Sequence, residues 1–220
     1  MSAIYKLILG TKNTSSWSLR PWLAMKMAGI PFDEIVLPLG TAHTKERVAE
    51  HSPSGKVPVL IIKENGTSRA VWDTLAICGA LAERHKEFAF WPEDYRRREE
   101  ARCVVAEMHS GFPNLRETMP MDLATAHPTP EIGSDLENEI ERIKSIWLSA
   151  LERFGPDGGF LFGKFSLADC FYAPVVTRFD TYAIALPALA QAYAQRILAL
   201  APMRQWRAEA MRDLTENPRA

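Results

Sequence analysis

From Ile4 to His85 the hydrophobic pattern changes period again and again, and that alternation restricts the fold more than any other feature of the chain. Short apolar runs, YKLILG, EIVLPL and PVLII, are separated by stretches compatible with helix, from Ser16 to Ala28 and from Thr44 to Glu50. Glu64-Asn65-Gly66 is a turn signal after the third run, and SRAVW beyond it can return as an antiparallel strand. Asp73 then opens a helix running to about His85. The resulting order, βαβαββα, requires a mixed sheet with helices packed on it. Its closing hairpin separates it from a purely parallel, doubly wound sheet.

A thioredoxin-like architecture for residues 1–86 fits that order best. After Phe90-Trp91-Pro92 the strand signals fade, and the segments 93 to 118, 134 to 154, 167 to 181, 187 to 199 and 203 to 213 carry helical apolar spacing. The stretch from Pro120 to Gly133, rich in Pro, Thr and Ala, reads as the loop joining the first two of those helices. The expected fold class is α/β plus all-α, with a helical-bundle domain over 93–220.

The chain has 220 residues, enough for one large domain or two ordinary ones. Its 47% apolar and 24% charged residues and net charge of -1 give no electrostatic footprint for nucleic acid. MSAIYKLILG carries no basic leader, and no run approaches the roughly 20 apolar residues that span a bilayer, so no membrane partner and a cytoplasmic location are expected. Cys78, Cys103 and Cys170 form no Cys-x-x-Cys pair, so no metal site is expected, and they read as small buried hydrophobes.

Four landmarks then follow in order. They are Thr14-Ser15-Ser16-Trp17-Ser18-Leu19-Arg20-Pro21-Trp22, Ser52-Pro53-Ser54-Gly55-Lys56-Val57-Pro58-Val59-Leu60, Asp73-Thr74, and Phe165-Ser166-Leu167-Ala168-Asp169. Over nearly its whole length the chain resembles the glutathione transferase superfamily, serine type. The first landmark is similar to the Ser-Ser-Cys-Ser stretch of zeta-class enzymes and to the single serine of theta-class ones. The second is similar to the family's Asn-Pro-x-Gly-Lys-Val-Pro segment with its cis proline. The third stands where the family has Glu-Ser or Gln-Ser, and the fourth is similar to the Ser/Thr-x-x-Asp box that starts a buried helix.

The resemblance implies glutathione as co-substrate, no metal, a homodimer and a role in detoxification. It places Ser15 on the catalytic serine, where a hydroxyl at a helix N-terminus favours the thiolate of glutathione over its thiol. Residue type alone leaves capping open for Thr14, Ser15 and Ser16, and Ser16 or Ser18 takes the role if the register slips. By the same resemblance Val57, before a cis Pro58, pairs with the cysteinyl backbone. Asp73 and Thr74 hold the γ-glutamyl end, and Lys56 and His43 meet the glycine carboxylate. Capping by Asp73, a trans Pro58 that merely opens a strand, and a solvated Lys56 and His43 are the structural alternatives.

Trp17 occupies the place of the zeta-class cysteine. Met108, Phe112 and Arg116 recur every four residues, so they can share a helix face that lines an electrophile pocket, or pack as core. Ser166 and Asp169 read as a capping pair. Three functions stand on this basis: conjugation of glutathione to a small hydrophobic electrophile, glutathione-dependent cis-trans isomerisation of the maleylacetoacetate-isomerase kind, and a non-catalytic glutathione-binding module.

Overall fold

A computed structural model describes residues 3–216, which form two compact units, residues 3–88 with 205–216 and residues 89–204. In the first, β1 (Ile4–Gly10), α1 (Ser16–Met27), β2 (Asp33–Leu37), α2 (Thr44–Ala49), β3 (Val59–Glu64), β4 (Thr67–Trp72) and α3 (Thr74–Arg84) follow the anticipated order. The sheet runs β2-β1-β3-β4. β1 pairs β2 in parallel, with Ile8 opposite Ile35, and pairs β3 antiparallel, with Leu7 opposite Leu60. This is the thioredoxin-like arrangement.

Alternation across the central strand explains its two covered faces: Ile8 joins Leu37, Val48 of α2 and Val59 in one buried cluster, while Leu7 and Leu9 point the other way. α1 ends where Gly29, at φ 66°, turns left-handed and the Ile30 amide donates back to the Met25 carbonyl at 3.0 Å.

The second unit is helical: α4 (Tyr95–Ser110), α5 (Pro113–Thr118), α6 (Ser134–Phe154), α7 (Leu167–Thr181) and α8 (Ala188–Leu198). α7 is buried along its whole length except Asp180. Trp147 of α6 ties three helices together, its ring 6.0 Å from Tyr172, 5.5 Å from Phe179 and 5.2 Å from Tyr193. The last helix, α9 (Ala201–Glu216), belongs to the second unit through Arg204 and to the first from Gln205 onward.

Two expectations are corrected. The single helix over 93 to 118 is two helices, because Pro113 has no amide to donate to the His109 carbonyl and Phe112 sits in the left-handed region at φ 61°. Cys103 is exposed on α4, whereas Cys78 and Cys170 are buried as expected. Among the described residues no helix is long and apolar enough to cross a membrane.

Candidate functional site

Ser15 stands at the N-cap of α1, yet its side chain caps nothing. Its hydroxyl donates instead to Ser18 Oγ at 2.8 Å, and Ser18 Oγ also accepts the Gly10 amide at 3.0 Å. A Cβ at Gly10 would lie 2.6 Å from a Leu39 methyl and 3.0 Å from Ser15 Oγ, which is why the strand ends on glycine. Ser15 is 5% exposed, and α1 carries no acidic side chain in its first turn, so its own residues leave the positive end of the helix uncompensated. Ser16 and Ser18 are also buried.

The loop before Ser15 is closed by its own backbone, with the Thr14 and Ser15 amides donating to the Thr11 carbonyl at 3.2 and 2.9 Å. Thr11 Oγ1 accepts the Leu39 amide at 2.8 Å, tying the loop to the chain beyond β2.

Val57-Pro58 is cis. The turn leading into it is organised by Ser52, whose hydroxyl donates to the Lys56 carbonyl at 2.6 Å and accepts the Lys56 amide at 3.1 Å. Val57 packs partly buried against the Ile8, Leu37, Val48 and Val59 cluster. Lys56 is exposed, and so is His43, 3.8 Å from Glu46.

Asp73 adopts φ 71° and ψ 134°, a conformation that non-glycine residues hold only when their surroundings impose it, at a cost of about 1–3 kcal/mol. Its Oδ1 accepts the Leu75 and Ala76 amides at 2.8 and 3.3 Å, so it caps α3. Thr74, buried, donates its hydroxyl to the Trp17 carbonyl at 3.0 Å. Pro21 explains that bond: lacking an amide, it cannot take the Trp17 carbonyl into the helix ladder, and Thr74 occupies it instead. The starts of α1 and α3 are thereby fixed to one another within the first unit, which brings Ser15, Trp17, Asp73 and Thr74 together.

No residue pattern pointed to Arg20, which is fully buried on α1 with its guanidinium 4.5 Å from the Trp17 ring centroid. Burial pushes the Cys78 thiol well above its ordinary range, against the pull of Arg20. An Ellman titration of the native protein is therefore expected to label Cys103 alone, and all three thiols after denaturation.

The second unit places Met108 and Phe112 in its interior. Arg116 turns back over the break between α4 and α5, donating to the Met108 carbonyl and, at 3.1 Å, to the Gly111 carbonyl. Burial lowers its pKa, against the charge of Glu139, whose carboxylate accepts the Asn114 and Leu115 amides at 3.2 and 2.7 Å. The three side chains thus do not lie along one continuous helix face.

Two family models match the chain: glutathione S-transferase, N-terminal domain, over residues 14–84, and glutathione S-transferase, C-terminal domain, over residues 136–211. The chain belongs to the glutathione S-transferase family.

Among curated proteins this transferase-family chain is 25% identical over 112 residues to a probable maleylacetoacetate isomerase of Caenorhabditis elegans, a match spanning 51% of the chain and 50% of that relative. Among solved structures it is similar to a glutathione transferase homolog from Burkholderia gl BGR1 with bound glutathione. The TM-score is 0.70 and the identity 21%, over 96% of this chain and 99% of that one. It is also similar to maleylacetoacetate isomerase from Anaeromyxobacter dehalogenans 2CP-1 with bound GSH. There the TM-score is 0.67 and the identity 23%, over 93% and 95% of the two chains.

Proposed function

We propose that this chain is a cytoplasmic, homodimeric glutathione transferase of detoxification, in which the 1–86 half holds glutathione and the 93–220 half selects a small hydrophobic electrophile. The observation that carries the reading is Ser15: a buried hydroxyl at the start of α1 that caps no helix amide and donates to the neighbouring Ser18 hydroxyl. Rotated from Ser18 to a bound sulfur, it donates to the thiolate, and the helix N-terminus adds to the stabilisation. The thiolate then attacks an electrophilic carbon, and the bond to the leaving group breaks.

In the same reading the Val57 backbone beside cis Pro58 pairs with the cysteinyl unit, Asp73 and Thr74 hold the γ-glutamyl end, and Lys56 and His43 meet the glycine carboxylate. Trp17, packed beside Arg20, contacts the electrophile, while Met108, Phe112 and Arg116 shape the helical half. Similarity to maleylacetoacetate isomerases supports a second reading, glutathione-dependent cis-trans isomerisation, which uses the same thiolate.

The test is the ultraviolet thiolate absorbance of glutathione titrated with pH in the presence of the protein. The bound thiol's pKa is expected to fall by about two units from the free value near 8.5. Binding without a shift would leave a non-catalytic glutathione-binding module as the better account. Product analysis with an activated aryl halide and with a cis-configured conjugated keto acid separates conjugation from isomerisation.

A further inference from the structure

Lys12, three residues before Ser15 in the loop between β1 and α1, is only 4% exposed. A buried ammonium needs compensating charge, and two carboxylates supply it: Glu34 of β2 at 2.6 Å and Glu209 of α9. Above it lie the rings of Trp22 and Trp206, with centroids 5.3 and 5.1 Å from the ammonium and 4.9 Å from one another, crossed at 64°. Both indoles are anchored as well. Trp22 Nε1 donates to Glu34 Oε1 at 2.8 Å, and Trp206 Nε1 donates to the Lys12 carbonyl at 2.9 Å.

Also facing this cluster are the charged Lys26, 3.5 Å from Glu34, and the neutral Gln205, whose amide donates to Glu209 at 2.9 Å. Burial would raise the Glu209 carboxyl, but Lys12, with Gln205 and Lys26, holds it below its usual value. Glu209 is therefore a charged partner at neutral pH.

The Ser15 loop is thus held on two sides: by its own bonds to Thr11 and Leu39, and by the 205–216 stretch through Lys12 side chain and carbonyl. Loops are ordinarily surface segments with freedom to move, but Thr11, Lys12, Asn13 and Ser15 are all buried. A hydroxyl that must meet a sulfur within hydrogen-bond distance gains from such immobility, since a misplacement of about 1 Å can cost about a hundredfold in rate.

We propose that Lys12 is a positioning residue for Ser15, and that the 205–216 stretch, through Trp206 and Glu209, is a working part of the thiolate site. The proposal rests on the glutathione transferase reading of Ser15. Lys12 acts through the loop and touches no substrate.

The experiment compares wild type, Lys12→Met and Glu209→Gln by melting temperature, by pH titration of bound glutathione's thiolate absorbance, and by kcat and KM for glutathione. Each variant is expected to give up part of the wild-type depression of the thiol pKa. Roughly one unit for Lys12→Met is about a tenfold loss of thiolate at a fixed pH well below both pKa values, and about threefold near pH 7. kcat should fall in proportion while KM for glutathione holds within about twofold. Variants that melt lower but titrate as wild type would overturn the proposal and leave the cluster as packing. Should Lys12→Met not fold, Glu209→Gln, which keeps the shape and a hydrogen-bond acceptor, decides alone. A wild type that shows no depression removes the Ser15 reading itself, and the positioning role with it.

Discussion

Replacing Ser15 by alanine is expected to lower kcat/KM for glutathione conjugation about a hundredfold, roughly 3 kcal/mol of transition-state stabilisation, as for other single donors to an anion. The loss stops short of complete because α1 still presents its N-terminus, and KM for glutathione is expected to change little, since the peptide's other ends are held elsewhere. Ser18→Ala is expected to behave differently. It removes the acceptor of both the Ser15 hydroxyl and the buried Gly10 amide, so stability falls by about 1–3 kcal/mol. Ser15 meanwhile keeps its donor. Initial rates and melting curves on both variants separate the two roles, and a Ser18→Ala enzyme as slow as expected for Ser15→Ala would move the thiol contact to Ser18.

What could be read in the chain follows from the range over which its signals act. The order βαβαββα was legible because strand and helix differ in hydrophobic period, and because Asn65-Gly66 punctuates the hairpin between β3 and β4. The cis Val57-Pro58 bond came from resemblance alone, since a proline ahead of a strand is trans by default. A proline such as Pro113 disturbs any helix, but whether it kinks the helix or ends it depends on neighbours such as Glu139, which caps the new helix from α6. Exposure of Cys103 depends on which face of α4 is covered, and residue type does not say.

The Lys12 cluster lay beyond reach for a plainer reason. Its Trp206 bond joins residues 194 apart, and neither the lysine nor the tryptophan differs locally from an ordinary surface or core residue. The Pro21 and Thr74 pair sits between these cases: the proline announced a missing amide, but only the fold could reveal which hydroxyl met the vacated carbonyl. Residues 205–216 lie in the first unit for the same reason, carried there by Trp206 and Glu209 rather than by any change in helical pattern.

Asp169 has the largest expected effect on stability. It is fully buried at the start of α7, where Oδ2 accepts the Ser166 amide at 2.8 Å and Oδ1 the Leu161 amide at 3.1 Å, completing the capping pair expected from sequence. Asp169→Ala leaves both buried amides without an acceptor, and about 4 kcal/mol is expected to be lost at neutral pH. Burial raises its carboxyl from 3.8 to about 6, against the lowering effect of those amides, and the Tyr193 hydroxyl facing it is itself pushed well above 10.

Because the folded pKa lies above the unfolded one, the native protein holds this proton more tightly. The associated stability is fully present below about pH 4 and is lost as pH rises through about 6. From pH 4.5 to pH 7 that loss amounts to about 2 kcal/mol. Asp169→Asn cannot titrate, so the wild-type minus variant difference in urea unfolding free energy, at fixed protein concentration, is expected to be about 2 kcal/mol larger at pH 4.5 than at pH 7. A difference that stays flat, or grows toward pH 7, would show that the carboxylate is already charged in acid and that its two amides outweigh burial.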